Sequence, residues 1–344
     1  MTPDCPVPRH EEECVLLGHG AGGRLTAELL DTLVLPALGG GGGALEDAAL
    51  LPGQSDLVVS TDSFVVSPLF FPGGDIGCLA VHGTVNDLAM RGARPLALSV
   101  SLIVEEGLPL AELDAVLTSL GKAARAAEVP VVTGDTKVVG RGAADKLFIN
   151  TTGIGRRHDT LRPSAALARP GDTVLLSGPI GLHGTTVLST RERLGFESDI
   201  ASDSRPLHRL VRSLAPLGPD VHTLRDPTRG GLAAALNEIA QASAVAVEID
   251  EGSVPVPPPV AAACDLLGLD PLTVANEGCL VAFVAPAAAE AALAALRARP
   301  EGSAAVRIGE VLPHGEPGRV ALRTLVGSRR VVEMPLGEQL PRIC

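Results

Sequence analysis

The stretch LALSVSLIVEEGLPLAELDAVLTSL, residues 96–120, decides the fold class of this chain. Its first part, Leu96 to Val104, is an apolar run that predicts a β-strand. Pro109 then opens an amphipathic helix whose apolar side chains recur with helical spacing from Leu113 to Leu120. A strand that leads directly into a helix indicates a protein that mixes the two in sequence order.

The same alternation continues on both sides of this stretch. Upstream, the pattern predicts a strand over Leu57 to Ser60, followed by a helix over Ile76 to Arg91 that Asp75 caps. After a break near Arg162 to Gly171, strands and helices alternate again, which predicts two α/β or α+β domains. We divide the chain into an N-terminal extension (1–13), an N-terminal domain (14–162), a C-terminal α/β domain (163–333) and a mobile tail (334–344).

Composition excludes several classes of partner. The 28 Lys and Arg residues face 40 Asp and Glu residues, so the formal net charge of −12 repels nucleic acids and anionic membranes. The first thirteen residues carry no apolar segment of the kind found in signal peptides, and the long apolar stretch Cys279 to Leu296 is interrupted by Pro286 and Glu290. We therefore expect a cytoplasmic protein with neither a nucleic-acid nor a membrane partner.

The cysteines point to a single reactive thiol. The six cysteines include no C-x-x-C pair and no zinc-like spacing, which predicts reduced thiols. Cys344 stands last in the sequence, after a stretch that contains Pro335 and Gly337 and lacks an apolar period. This arrangement predicts a reactive group on a mobile arm, with an incidental surface thiol as the alternative.

A glycine-rich loop, Gly18-His19-Gly20-Ala21-Gly22-Gly23, follows a short apolar run and precedes a helical pattern. It satisfies G-x-G-x-x-G, so a dinucleotide-binding loop is one interpretation. The acidic strand end expected about twenty residues further on is replaced by the glycine linker Gly39 to Gly43. The loop remains suited to phosphate, because its backbone N–H groups can cradle phosphate oxygens.

Several carboxylates fall where strands end or helices begin. Asp62, Asp87, Asp135 and Asp226 each have a plain alternative as cap or turn residues, but together they supply the oxygen ligands that Mg²⁺ prefers. Lys137 and Arg229 lie close to two of them and can neutralise a phosphoryl group. Glu277 is either a strand-edge carboxylate or a general base whose pKa is raised by burial.

A resemblance to a known family rests on nine segments of the chain. They are His19-Gly20-Ala21-Gly22-Gly23, Ser60-Thr61-Asp62-Ser63, Asn86-Asp87-Leu88, Glu105-Glu106-Gly107-Leu108-Pro109, Gly134-Asp135-Thr136-Lys137-Val138-Val139, Arg141-Gly142-Ala143-Ala144-Asp145-Lys146, Asp226 with Thr228-Arg229-Gly230-Gly231, Ala275-Asn276-Glu277-Gly278 and Pro341-Arg342-Ile343-Cys344. In combination, these segments make the chain similar to the HypE family of hydrogenase maturation proteins, the carbamoyl dehydratases. The last four separate this family from the aminoimidazole ribonucleotide synthetases and selenophosphate synthetases, which share its ATP-binding fold. Pro227, inserted between Asp226 and Thr228, departs from the family pattern.

The resemblance implies a two-domain fold like that of aminoimidazole ribonucleotide synthetase, in which the N-terminal sheets of two subunits join in a homodimer and ATP binds near the junction. It implies that a carbamoyltransferase, HypF, loads a carbamoyl group on Cys344. ATP then drives its dehydration to a thiocyanate, whose cyano group passes to iron on a HypC–HypD complex for nickel-iron hydrogenase.

The same resemblance, with the chemistry above, assigns residue roles. We expect Cys344, Glu277 and Lys137 to be catalytic, and Asp62, Asp87 and Asp226 to hold Mg²⁺. The expected nucleotide-binding residues are Gly20, Gly22, Gly23, Thr61, Asp62, Asn86, Asp87, Asp135 and Arg229.

Two other functions fit the sequence. A ligase or kinase of the same fold that acts on a free metabolite would turn over without Cys344. A noncatalytic carrier would hold the modified thiol without any linked ATP hydrolysis.

Overall fold

The computed structural model describes residues 15–38, 45–51, 53–192 and 200–337. The N-terminal extension, the Gly39 to Gly43 linker and the Pro341 to Cys344 segment lie outside these described residues. Between them the described ranges form two mixed α/β domains, as the alternating pattern predicts.

The first domain is built on one five-stranded sheet. Its strands and a short accessory hairpin are β1 (Ala49–Leu51), β2 (Gln54–Phe64), β3 (Phe70–Phe71), β4 (Gly74–Asp75), β5 (Ala93–Glu105), β6 (Val131–Val139) and β7 (Leu147–Arg157). The sheet order is β1-β2-β7-β5-β6, with β3 and β4 pairing separately. Every pair in the sheet is antiparallel except β5 with β6. The parallel β6 therefore forms one edge of the sheet.

In the described ranges, four α-helices precede or separate these strands. They are α1 (Arg24–Leu29), α2 (Leu35–Ala37), α3 (Ile76–Met90) and α4 (Leu110–Ala126), with a π-helical turn (Leu30–Val34) between the first two. Helix α3 packs on β2, β5 and β7 of the sheet, and α4 packs on α3. The Asp75 carboxylate caps α3, because it accepts hydrogen bonds from the backbone N–H groups of Gly77 at 2.7 Å and Cys78 at 3.1 Å. The predicted cap and helix are thus confirmed.

The second domain contains a seven-stranded sheet. Its strands are β8 (Thr173–Leu176), β9 (Val221–Arg225), β10 (Val247–Asp250), β11 (Val281–Val284), β12 (Val306–Val311), β13 (Val320–Arg323) and β14 (Arg329–Val331). They are arranged in the order β14-β13-β10-β12-β8-β11-β9. Its helices are α5 (Leu182–Glu192), α6 (His208–Ser213), α7 (Gly231–Ala242), α8 (Pro258–Leu267) and α9 (Ala289–Arg297). Among the described helices, none combines the length and apolarity of a membrane span.

The two domains share buried surface. Val187 and Ala275 of the second domain pack in the core of the first, and Met90 of α3 belongs to a buried apolar cluster that includes Leu175 and Leu224 of the second. Burying these apolar side chains away from water stabilises the domain contact. Residues from both domains can therefore form one site at their junction.

Two strands differ from the sequence prediction. The predicted Leu57 to Ser60 strand continues to Phe64, so Thr61 and Asp62 lie in β2 and not in a turn after it. Asp135 likewise lies in the middle of β6. Polar residues in both strands interrupt the apolar runs from which strands are predicted. They are compatible with a continuous strand, because its side chains alternate between the two faces of the sheet.

Candidate active site

A cavity of about 230 Å³ opens where the two domains meet. Its ionisable lining residues are Asp47, Asp62, Asp87, Arg225, Asp226, Arg229, Glu238 and Glu277. We refer to it as the acidic pocket, because six of these eight side chains carry carboxyl groups.

Four segments bring the aspartates together. Asp62 comes from β2, Asp87 from the buried helix α3, and Asp226 from the residue directly after β9. The hydroxyl of Ser60, also on β2, donates a hydrogen bond to Asp87 Oδ2 at 2.5 Å and so fixes α3 against the strand. Asp47 precedes β1 and completes the group.

The tightest cluster contains one residue that the sequence analysis did not identify. Among the described residues, ligand oxygens of Asp47, Asp87 and Asp226 all lie within 4.8 Å of one another. Asp62, which we expected as a metal ligand, lines the same pocket but is not in this cluster. Asp47 was missed because it follows a glycine linker in an alanine-rich segment, where no strand pattern marked it.

Neighbouring ion pairs position Asp47. Arg225 Nε lies 3.3 Å from Asp47 Oδ1, and its Nη2 lies 2.5 Å from Glu238 Oε2. The adjacent Glu46 pairs with Arg91 Nη1 at 2.7 Å and accepts hydrogen bonds from the backbone N–H of Ala165. These contacts anchor the segment between the two domains, so Asp47 faces the pocket.

Burial and mutual repulsion raise the pKa of the clustered carboxyl groups. Desolvation raises the pKa of Asp226 to about 8, and Asp47 adds to the effect through its charge. Desolvation also raises the pKa of Asp87 well above its ordinary value, with further contributions from Asp226, Asp62 and Asp47. Like charges held this close disfavour ionisation unless a cation shares them.

The donor set fits a divalent cation of the magnesium type. Asp226 Oδ2 is buried and has no hydrogen-bond partner within the described part of the chain. A buried carboxylate oxygen without a partner is costly, whereas coordination to a hard cation would satisfy it. Carboxylate oxygens alone favour magnesium, calcium or manganese over softer metals. Asp47, Asp87 and Asp226 could therefore hold Mg²⁺.

Glu277 lies on the same pocket and is only 2% exposed. Burial raises the pKa of its carboxyl well above the ordinary value, Asp226 and Asp203 raise it further, and Arg229 opposes the shift. A carboxyl group with a raised pKa is suited to accept and release a proton near neutral pH.

Two contacts hold the loops that carry these groups. The Asn276 side chain donates to the Pro227 carbonyl at 2.9 Å, and the Asn276 backbone N–H donates to the same carbonyl at 3.1 Å. Pro227, the departure from the family pattern, thereby links the loop of Asp226 to the loop of Glu277.

The glycine loop forms one wall of the pocket. Gly22 lines it with a positive φ of 74°, and a side chain there would come within 2.9 Å of Arg229 Cβ. Gly23 is buried, and an added Cβ would lie 2.3 Å from the Pro335 carbonyl oxygen. The loop therefore packs against two other segments that approach it closely.

The described part of the predicted tail is docked on this loop. The backbone N–H of Arg24 donates to the Pro335 carbonyl at 2.9 Å, and that of Leu25 donates to the Leu336 carbonyl at 3.2 Å. Residues 335 and 336, which we assigned to the start of the tail, are thus held beside the pocket wall. Cys344 lies outside the described residues.

The structure brings some predicted residues into the pocket and not others. Gly22, Thr61, Asp62, Asp87, Asp226, Arg229 and Glu277 line it. Gly20 and Gly23 do not line the pocket. The buried Asn86 does not either, because its amide is used to hold the segment before α6: it donates to the Arg205 carbonyl at 3.1 Å and accepts from Leu207 N–H at 2.7 Å.

Asp135 and Lys137 lie elsewhere in the single chain. Both project from the exposed edge strand β6, and Lys137 Nζ pairs with Asp135 Oδ2 at 2.8 Å. Neither lines the acidic pocket of its own chain.

Comparison with known protein families agrees with this fold. Residues 45–157 match the family described as AIR synthase related protein, N-terminal domain, and residues 169–321 match the corresponding C-terminal domain. The two domains with an acidic pocket at their junction are therefore those of an AIR synthase related protein.

Individual relatives narrow the assignment. The carbamoyl dehydratase HypE of Cupriavidus necator is 54% identical over 95% of this chain and 94% of its own length. A crystal structure of the hydrogenase maturation protein HypE in complex with ATP is 50% identical, superposes with a TM-score of 0.81, and covers 96% of this chain and all of its own. The structure of a HypE–HypF complex gives 47% identity and a TM-score of 0.82, over 85% of this chain and 94% of the other. The chain belongs to the HypE family of carbamoyl dehydratases.

Proposed function

We propose that this protein dehydrates an S-carbamoyl group on Cys344 to a thiocyanate with ATP, and so supplies cyanide for the iron of nickel-iron hydrogenase. The observation that carries the proposal is the acidic pocket, where clustered carboxylates, Arg229 and the buried Glu277 meet beside the docked segment that leads to Cys344. The carbamoyl dehydratase relatives and the ATP complex of a HypE protein support it.

The chemistry explains why ATP is needed. The oxygen of a carboxamide is a poor leaving group, so it must first become a phosphate ester. The carbonyl oxygen attacks the γ-phosphorus of ATP, the bond to the ADP oxygen breaks, and one N–H proton is lost. The resulting imidoyl phosphate then loses its second N–H proton as the C–O bond breaks. The products are a thiocyanate, ADP and a phosphate that keeps the carbamoyl oxygen.

The pocket residues have distinct tasks in this scheme. The glycine loop around Gly22 and the Arg229 guanidinium bind the phosphates and share the charge of the transferring group. Asp47, Asp87 and Asp226 would hold Mg²⁺, with Asp62 beside them, and the cation would offset negative charge on the nucleotide. In its ionised form Glu277 takes an N–H proton, because burial and the neighbouring carboxylates raise the proton affinity of its carboxylate.

The position of the docked segment supports delivery of the Cys344 thiol to the acidic pocket. The described chain ends at Gly337, next to Gly18 and Leu25. At about 3.3 Å per residue, the seven residues that follow span up to ~23 Å when extended. Cys344 can therefore deliver its cargo to the pocket, and holding the reactants together lowers the entropic cost of the reaction.

A second copy of the chain completes the site in this proposal. The edge strand β6 exposes apolar side chains, with Val132 63% and Val138 71% exposed. An exposed apolar edge of this kind is covered in native proteins by another strand or chain. Pairing β6 with β6 of a partner subunit would join the two sheets and bring Lys137 and Asp135 toward the partner's site, where Lys137 assists proton removal.

The family resemblance also implies the partners that act before and after this protein. A HypF carbamoyltransferase loads Cys344, as the HypE–HypF complex supports. A HypC–HypD complex carrying iron receives the cyano group. Because the thiol must stay reduced, we place the reaction in the cytoplasm.

Intact mass spectrometry tests the proposed function. The chain is incubated with HypF and its carbamoyl donor, and then with Mg-ATP. We expect the mass of the C-terminal peptide to gain one carbamoyl group and then to lose one water, with both changes absent in Cys344→Ala. Dehydration at another residue, or ATP hydrolysis without loss of water, would contradict the proposal.

A further inference from the structure

A second cavity, of about 200 Å³, lies where the first domain meets α6. Its charged and titratable lining residues are Arg94, Glu128, His158, His208, Arg209 and Arg212. None of them lines the acidic pocket. We call this cavity the cationic pocket, since three guanidinium groups and two imidazoles face a single carboxylate.

The single carboxylate is already paired. Glu128 Oε1 lies 2.8 Å from Arg209 Nη2, which also donates to the Ala126 carbonyl at 3.0 Å and so caps the end of α4. In the described ranges, the side chains of Arg94 and Arg212 form no hydrogen bond or ion pair and are exposed to solvent. The pocket therefore retains two positive charges that nothing in the described chain neutralises.

A buried imidazole in the same pocket has an unused ring nitrogen. His208 is 8% exposed, and its Nδ1 is buried without a hydrogen-bond partner among the described residues. The carboxylate of Glu301, which acts on His208 through its charge, is paired with Arg299 Nε at 3.5 Å. An unsatisfied buried nitrogen in a polar cavity calls for a ligand or a bound solvent molecule.

Burial and the charges of the neighbouring arginines both favour the neutral form of the imidazoles. Burial lowers the pKa of His158, and the charges of Arg212 and Arg94 lower it further, while the exposed Asp159 acts weakly in the opposite direction. An anion placed between these cations would reverse that effect, because it favours the protonated imidazole as a hydrogen-bond donor.

We propose that the cationic pocket binds one small oxyanion of the phosphate class. Arg94 and Arg212 supply its countercharge, and the imidazoles of His158 and His208 supply further N–H donors. Guanidinium groups suit this ligand, because their planar N–H forks match phosphate geometry. The volume limits the ligand to a phosphate group, since pockets for larger molecules span ~300–1,000 Å³.

An occupied site would connect the two domains. Arg94 lies in β5 and His158 directly follows β7, whereas His208 and Arg212 belong to α6 of the second domain. A bound oxyanion would contact both and favour their observed arrangement. This inference does not depend on the proposed dehydration.

Phosphorus NMR on the full chain, free of nucleotide and magnesium, tests the proposal. Inorganic phosphate is titrated against the wild type, the Arg94→Ala/Arg212→Ala variant and Arg319→Ala, which removes an exposed arginine outside the pocket. We expect saturable broadening of the phosphate resonance by the wild type, at least ~10-fold weaker binding by the double variant, and no change for Arg319→Ala.

Equal binding by the double variant, or no binding by the wild type, would overturn the proposal. Binding of a polyglutamate peptide without binding of phosphate would also overturn it and identify a protein-docking surface. If AMP competes with phosphate in the wild type alone, the site takes phosphate groups carried on nucleotides. Should the double variant fail to fold, Arg94→Gln decides the question by the same titration.

Discussion

The Asp203 carboxylate holds the backbone of Glu277: its Oδ1 accepts a hydrogen bond from the Glu277 N–H at 3.1 Å, and its Oδ2 accepts one from the Gly278 N–H at 2.9 Å. The backbone N–H of Arg205 donates back to the Glu277 carbonyl at 3.2 Å. The loop of Glu277 is therefore fixed from both sides, while the Glu277 side chain faces the acidic pocket. A base placed this rigidly needs little reorganisation during proton transfer.

Glu277→Gln removes the proposed base while nearly preserving the shape of the side chain. We expect single-turnover dehydration of the carbamoylated protein to fall by ~100-fold or more. Glu290→Gln, on the exposed first turn of α9, is the matched control and should react at the wild-type rate. A Glu277→Gln variant that reacts as fast as this control would remove Glu277 from the mechanism.

Asp226→Asn tests the cation site through stability. Because folding raises the pKa of Asp226 from 3.8 to about 8, the folded state binds this proton more tightly than the unfolded state. Its contribution to stability is therefore full at low pH and is lost as pH rises through about 8. Between about pH 5 and pH 8, we expect the melting temperature of the metal-free variant to fall less than that of the metal-free wild type.

Added Mg²⁺ should stabilise the wild type more than it stabilises Asp226→Asn. At pH 8 it should raise the melting temperature of the wild type, because binding to the folded state alone stabilises it by mass action, an effect of about 2.7 kcal/mol at one hundred times Kd. Asp226→Asn should lose most of this gain. Asp114→Asn, an exposed carboxylate of α4, should keep it. An unchanged magnesium response in Asp226→Asn would argue against the cluster as the metal site.

Gly23→Ala tests the docking of the C-terminal segment. The new methyl group would collide with the Pro335 carbonyl oxygen, at a Cβ distance of 2.3 Å, so we expect residues 335–336 to be displaced from the glycine loop. Dehydration should slow by at least ~10-fold through lost positioning, and limited proteolysis should cleave the segment faster. Gly20→Ala is the control, because nothing lies within 4 Å of its Cβ position. Equal protease sensitivity in the two variants would contradict the docking role.

Subunit mixing tests whether Lys137 acts across a dimer. We expect Lys137→Ala and Glu277→Gln to be nearly inactive alone, and their equimolar mixture to recover about a quarter of wild-type activity, since half of the dimers are mixed and each has one intact site. Val132→Asp on β6 should prevent this recovery and weaken dimerisation, which sedimentation velocity measures, whereas Val326→Asp on the exposed β13–β14 turn should not. No recovery in a mixture of folded dimers would place Lys137 outside the partner's site.

The sequence predicts the elements of this fold better than the geometry of its site. The apolar periods of Leu96 to Leu120 and the Asp75 cap correspond to observed elements, because burial and capping are local signals. The short hairpin of β13 and β14 was missed, since its strands are short and partly exposed. Such short strands depend on pairing with other segments more than on their own pattern.

The prediction of the site from the sequence is limited in the same way, because local patterns do not show which distant segments meet. Asp62, Asp87, Asp226 and Glu277 were identified from the sequence, but Asp47 depends on Arg225, which is distant in the chain. Asn86 stands beside Asp87 in sequence, yet successive helix residues point in different directions, so one lines the pocket and the other holds the segment before α6. Contacts between segments that are distant in the sequence therefore determine which of these residues line the acidic pocket.

The most direct measurement follows the oxygen atom of the cargo. The carbamoyl group on Cys344 is prepared with an isotopically heavy carbonyl oxygen, and a single turnover with Mg-ATP is stopped and analysed by mass spectrometry. We expect one heavy oxygen atom in the released phosphate for each thiocyanate formed. Heavy oxygen in water, with unlabelled phosphate, would contradict transfer of the carbamoyl oxygen to the nucleotide.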